Sequence, residues 1–457
     1  MKSNRSVSLL TSVLLLISLT LGRSDTFRNA NADSPKTKAC PPFTCNSGNI
    51  LQSIGYGGNS EILKEDGIDT KSIVDFSLDE NYDGWRDSLP PQLQQRRGSL
   101  HRILVPTGFT RIKNQNDRGG IDNSSEETEN INCEIYLLGT AHVSKDSCED
   151  VKLLMEKIKP DVLFVELCVA RIGILTDEEA EEKVAKQKDD KSENEVKQSV
   201  SQLTKEIMDH NPDMSRSAAL SSVLLTKIQG DYATKLGVKI GGEFQEAYKM
   251  AKRQQDNYRQ YLQRLRWEQQ YGQSMQWNNS GNEVVMNGCA LVLGDRPVRL
   301  TLLRTWESLS FFGKVKLFFA LIISSFRQPD ENELKEWIES IMNDPSNDIL
   351  SKSIQELSRH FPSVKETIIA ERDVYMSCKI IQTARLLGSA SANDGKTRRI
   401  LVVVGAGHCP GICKSLAEYC NKDVKAILRS VIETKNHKVE GDQEMSLLIT
   451  DVASLDI

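Results

Sequence analysis

The sequence predicts an α/β fold: a central, mostly parallel β-sheet flanked by helices, with a large helical insertion. Two observations predict it. Near-continuous apolar runs at 134–138, 161–167, 289–293 and 400–404 lack polar alternation, as strands covered on both faces do. The first two runs are joined by the segment 144–160, which has Ser144 as N-cap, acids in its first turn, Val151, Leu154, Met155 and Ile158 on one face, and Pro160 as its stop. Strand, helix and strand in that order form a βαβ unit, which requires a parallel pair.

In chain order, residues 1–22 carry Lys2 and Arg5 ahead of an apolar run, Val7 to Leu21, which reads as a signal peptide directing entry to the secretory pathway. Residues 23–130 are rich in Ser, Asn, Asp, Gly and Pro and read as a low-order lead-in. Within it the stretch near Trp85 can dock on a core, as can "HRILVPTGF" (101–109), an edge strand ended by Pro106. The ordered domain is expected to run from 131 to 457. Its Glu- and Lys-rich segment 176–197 reads as solvated, "SAALSSVLLTKI" (217–228) as an apolar helix, and Glu243 opens a further helix after Gly241 and Gly242. Residues 254–282 read as an insertion, part helix and part loop. The run 311–326 contains Lys314 and Lys316 and suits a core helix or one lying on a membrane surface, not a spanning one. Helices are expected up to Leu387 and over 412–420, with strands at 423–433 and 445–452.

Composition excludes one partner class. A net charge of -5 over 457 residues gives no basic field for nucleic acid. The ten cysteines do not fix the compartment: Cys40 and Cys45 could pair in an oxidising lumen, whereas Cys133, Cys168, Cys289 and Cys378 read as buried thiols, and Cys409, Cys413 and Cys420 fit no common zinc spacing. Sequons at Asn123 and Asn278 fit surface loops.

Ligands of open α/β sheets bind at the carboxyl ends of the strands. That rule collects His142, Glu166, Asp295, Arg296 and His408. The chain has six histidines, and two of them stand three residues after a glycine that ends an apolar run, Gly139 before His142 and Gly405 before His408. Each glycine is expected to let the backbone turn sharply. Two imidazoles and two carboxylates at one rim suit a divalent ion such as zinc, manganese or iron. Each residue also has a plain structural role open to it. Glu166 could pair with Arg171 or Arg296, Asp295 with Arg296, Glu243 could be a first-turn acid, and 371–373 could be a surface charge cluster.

Taken together, "YLLGTAHVS", "PDVLFVELCVARI", "GGEFQEAY", "LGDRPV", "ERDVYM" and "VVGAGHCPGI" resemble the TraB/PrgY family, in particular its eukaryotic TraB-domain branch, related more distantly to the Tiki proteases. The resemblance covers about 131–420. It implies a Tiki, ChaN and erythromycin-esterase-like core and a metal-dependent, peptidase-like hydrolase. Its catalytic residues would be Glu166, Glu243 and Arg372, its metal ligands His142, His408 and Glu166, and its accessory residues Asp295 and Arg296. The cofactor implied is a divalent metal, manganese, zinc or cobalt, and the substrate a peptide. The alternative it implies is a non-catalytic adaptor or tether at mitochondrial outer or endoplasmic reticulum membranes, with a membrane or membrane-protein partner. The Val7 to Leu21 run departs from that branch, as does the lack of an apolar membrane segment after His408.

Overall fold

The computed structural model describes residues 43–44, 50, 84–112, 128–140, 145–176, 205, 241–271, 287–316, 361–434 and 443–455. The runs 7–21, 177–197 and 217–228, both sequons, Cys40, Cys45 and His142 lie outside the described residues.

The strands are β1 (Phe43–Thr44), β2 (Leu100–Ile112), β3 (Thr128–Thr140), β4 (Val162–Val165), β5 (Ala290–Leu293), β6 (Arg399–Gly405) and β7 (Ser454–Leu455). They form one seven-stranded sheet in the order β1-β7-β5-β4-β6-β3-β2. The four central strands are parallel, and the apolar runs all fall there. At the margins the β1–β7, β5–β7 and β2–β3 pairs are antiparallel. Strand β2 does not stop at Pro106. Pro106 still stands opposite Asn132, a register shift follows it before Thr110, and pairing resumes to Ile112, so the ordered sheet begins well before residue 131.

The helices are α1 (Lys145–Ile158), α2 (Gly242–Tyr271), α3 (Val298–Ser308), α4 (Glu371–Asp394), α5 (Cys409–Tyr419), α6 (Val424–Ile432) and α7 (Gln443–Thr450). Helix α1 ends as its sequence predicts, with Lys159 at φ 46° before Pro160. Helix α2 runs unbroken for 30 residues, so the insertion begins as its continuation. The segments 423–433 and 445–452 are helical, not strands. Val424, Leu428, Val431 and Ile432 recur at helical spacing and are buried, and Asp423 caps α6 by accepting from the Lys425 backbone at 2.9 Å.

Alternate side chains of each central strand enter two cores. Val162, Phe164, Val402 and Val404 meet α4 to α7 on one face, and Leu163, Val165, Leu401 and Val403 meet α1 and α2 on the other. Helix α4 follows a π-helical turn, Glu366–Ala370. It crosses the sheet so closely that a methyl at Gly388 would stand 2.3 Å from Thr107 Cβ on β2.

Candidate functional site

Parallel register aligns the strand ends that carry the polar residues. Thr140 pairs with Gly405 across β3 and β6, and the Glu166 and Gly294 backbone N–H groups donate to Val403 and Val165 at 3.1 and 2.9 Å. Asp295, Glu166 and the turn leading to His408 therefore lie side by side on one rim. The glycines preceding the histidines act differently from expectation. Gly405 has ordinary extended backbone, φ -61°, ψ 139°. Gly139 is required by close approach, because a methyl there would stand 2.6 Å from Cys409 Sγ and 2.8 Å from Ala406 Cα.

Glu166 is 1% exposed. Its Oε2 accepts from the Gly405 backbone at 2.7 Å, while Oε1 meets Arg372 Nη2 and lies 3.2 Å from His408 Nε2. Burying that carboxylate is costly without partners, and these supply them. Arg372, on the first turn of α4, donates from Nε and Nη2 to Asp295 Oδ1 and Oδ2, both at 2.9 Å, and from Nη1 to the Ile368 carbonyl at 3.3 Å. Asp295 Oδ2 also accepts from Arg171 Nη2 at 2.5 Å, and the same nitrogen donates to the Glu166 carbonyl at 2.9 Å. Arg171 Nε is buried and has no hydrogen-bond partner among the described residues.

His408 is gripped on both sides. Its Nδ1 lies 2.5 Å from Asp373 Oδ1, and Arg372 Nη1 stands 3.5 Å from its Nε2. An ionised carboxylate only accepts, so Nδ1 carries a proton and Nε2 faces Glu166. Burial acts to lower the imidazole's pKa, but Glu166 and Asp373 more than offset it and hold it at about 10. Burial raises Asp373, partly offset by His408. Burial likewise acts to lower Arg372, and Asp295 and Glu166 reverse it. The protonated imidazole completes the charge balance of Glu166, Asp295 and Asp373 against Arg171 and Arg372.

The sequence-nominated residues divide into two networks. Glu166, Asp295, Arg372 and His408 meet, as above. Arg296 accepts no pairing of its guanidinium with Asp295. Only its backbone N–H reaches Asp295 Oδ1, at 2.7 Å, while the side chain turns away to Glu371 (2.6 Å), the Val431 carbonyl (2.7 Å) and the Thr367 carbonyl (2.6 Å). Glu371 is shared with Arg304, at 2.6 and 2.7 Å. Burial lowers the Arg296 pKa, opposed by Glu371. Residues 371–373 are thus ion-pair partners, Arg372 and Asp373 buried and Glu371 partly so, and not a surface cluster. Glu243 stands at the start of α2, 1% exposed, its charge near enough to Cys148 on α1 to raise that thiol after burial has done so. Asp373 and Arg171 escaped nomination. A carboxylate and a guanidinium flanked by apolar helical positions were the available signals.

The donor set bears on a metal. Nε2 of His408 and Oε1 of Glu166 are separated as two ligands of one ion are when each bond is ~2 Å, provided the ion displaces the Nε2 proton, and a carboxylate behind the imidazole is the usual support of a ligating histidine. Among the described residues no group of three or more His, Cys, Asp or Glu is placed to hold a metal ion. A third donor would have to come from beyond them, and His142 is the one the sequence nominates.

Residues 127–426 match the TraB/PrgY/gumN family. The TraB domain-containing proteins of Mus musculus and Homo sapiens are 31% and 30% identical over 288 residues, and the match spans 62% of this chain and 62% of each of theirs. An uncharacterised protein of Methanocaldococcus jannaschii is 26% identical over 308 residues, 67% of this chain and 59% of that one. With 300 of its residues, 127 to 426, matching the family, the chain belongs to the TraB/PrgY/gumN family.

Proposed function

We propose that the chain is a metal-dependent hydrolase of the peptidase type, with its centre at Glu166 and His408. The observation that carries this reading is the 3.2 Å approach of His408 Nε2 to Glu166 Oε1 at the ends of adjacent parallel strands, with Asp373 behind the imidazole. Glu166, His408 and His142 would hold a divalent ion, manganese, zinc or cobalt, which when bound supplies Lewis acidity toward a substrate carbonyl.

The protein's own residues have separable tasks. Both oxygens of Glu166 are engaged, so it serves as a fixed anchor, and the reading assigns proton transfer to Glu243, the buried carboxylate that opens α2. The N–H groups of Arg372 point at Asp295, Glu166 and Ile368, so it holds the anchor in place. Arg171 Nε has no hydrogen-bond partner among the described residues, so Arg171 is better suited to steady negative charge developing on a peptide oxygen.

The test is cleavage of a peptide library by the full chain with added manganese or zinc, read by mass spectrometry. Wild type should cut only with metal, and Glu166→Gln should lose at least about 100-fold in rate, the cost of a misplaced catalytic centre. Metal-independent cutting, or full activity in Glu166→Gln, would overturn the reading.

A second reading, a membrane-associated adaptor, draws on Phe311 and Phe312, 75% and 81% exposed beside Lys314. Absence of cleavage together with binding to anionic vesicles, lost in Phe311→Ser/Phe312→Ser, would favour it.

A further inference from the structure

We infer that Gly411 is a positioning residue for His408 and acts through Asp373. A methyl at Gly411 would stand 1.9 Å from Asp373 Oδ2, 2.6 Å from its Cγ and 3.0 Å from its Cβ. The Asp373 side chain therefore fills the space that any other residue at 411 would claim. Its other oxygen, Oδ1, holds His408 Nδ1 at 2.5 Å. His408 and Gly411 stand three residues apart on one stretch of chain, and the α4 carboxylate is wedged against both.

The two ends of that wedge explain each other. Asp373 is 6% exposed in its side chain, so it cannot swing into solvent if the space is taken. It sits over the first turn of α5, where backbone N–H groups lack helical partners and negative charge is favoured. Pro410 occupies the adjacent position, where its missing N–H costs nothing. A side chain at 411 would drive the carboxylate off the imidazole. Nδ1 would then lose the acceptor that fixes its proton, and Nε2 would lose its fixed aim at Glu166. The missing side chain at 411 thus sets which nitrogen of His408 is presented to the site. Its value to the molecule rests on the reading of His408 as a working residue, whereas the geometry itself does not.

The test uses the full-length chain labelled with ¹⁵N-histidine, with the His408 signals assigned by their loss in His408→Gln. Wild type should show a strongly downfield Nδ1–H proton, the mark of a short bond to a carboxylate. Asp373→Ala and Gly411→Ala should each abolish it. In the double variant Asp373→Ala/Gly411→Ala the added methyl meets no carboxylate and keeps only the 3.0 Å approach to the Cβ at 373, so the spectrum should match that of Asp373→Ala alone and the melting shift caused by Gly411→Ala should be smaller than in wild type. A retained Nδ1–H signal in Gly411→Ala would overturn the inference. So would a melting shift from Gly411→Ala as large in the Asp373→Ala background as in wild type, because the glycine would then serve the helix and not the carboxylate. If Gly411→Ala alone does not fold, the background comparison decides: a folded double variant supports the inference and an unfolded one refutes it. No arm measures hydrolysis, so an inactive wild type would sink the preceding proposal and leave this one standing.

Discussion

His408 sits between two carboxylates and beside a guanidinium, so its protonation is a property of the cluster. Its pKa in the fold is about 10 against an ordinary 6.5, which means folding favours the charged form. The stabilisation is therefore fully present below about 6.5 and is lost as pH rises through about 10. Urea melts across that window should show wild type losing stability that His408→Gln never had, and parallel pH profiles for the two would contradict the assignment. Asp295 makes a second residue-level case. It holds Arg171 and Arg372 at once, and its loss leaves two guanidinium groups buried without their shared anion. Asp295→Ala should cost about 3 to 5 kcal/mol, measured by chemical denaturation. A cost below about 1 kcal/mol, typical of an exposed pair, would show that the cluster is solvated.

At the scale of elements, two adjacent dipeptides cross-pair. Asp295 takes Arg372 on the inner side, while Arg296 takes Glu371 on the outer side, so the end of β5 and the start of α4 are locked by ion pairs facing opposite ways. The π-helical turn before α4 is part of the lock, since its Thr367 and Ile368 carbonyls accept from Arg296 and Arg372. Arg296 and Arg304 also bind the carbonyls at the end of α6, where positive charge suits the helix dipole. Arg296→Met should unhook α6 as well as destabilise the fold by about 3 to 5 kcal/mol. Hydrogen exchange should quicken over 424–432 more than over α1. Uniform quickening would mean that Arg296 has no special tie to α6. This arrangement explains what sequence could and could not disclose. Strand ends and apolar runs are local, so the parallel core and the shared rim of Glu166, Asp295 and His408 were legible, whereas Arg372, on a helix, was nominated only through the family resemblance. Which of two neighbouring residues faces the site depends on a helix arriving from 75 residues away, as with Arg296 and Glu371, and no local pattern encodes it. The end of the chain was misread as strands because Val424, Val431 and Ile432 are β-branched, and their helical spacing together with the Asp423 cap outweighs that preference.

For the whole molecule, the sheet places its chemistry at one rim and its ion-pair locks around that rim, with the two apolar cores on either side. Among the described residues no helix is long and apolar enough to cross a membrane. The opposite rim has its own buried pair, Arg398 with Asp161 at 3.1 Å, and Asp161 is committed to the Arg399 backbone at 2.9 Å as well, so it ties the start of β4 to the start of β6. Among the described residues both rims leave one guanidinium Nε without a hydrogen-bond partner, Arg171 at the carboxyl rim and Arg398 at the other, so what sets the carboxyl rim apart is the alignment of His408 Nε2 with Glu166 Oε1. The account's central claim is that His408 and Glu166 face a common divalent ion. Calorimetric titration of the metal-stripped full chain with manganese measures this most directly. Wild type should bind one ion, and His408→Ala and His142→Ala should each weaken binding at least about 100-fold, the loss expected when one of three protein ligands is removed. Equal binding by all three proteins, or no binding by wild type to manganese or to zinc, would contradict it.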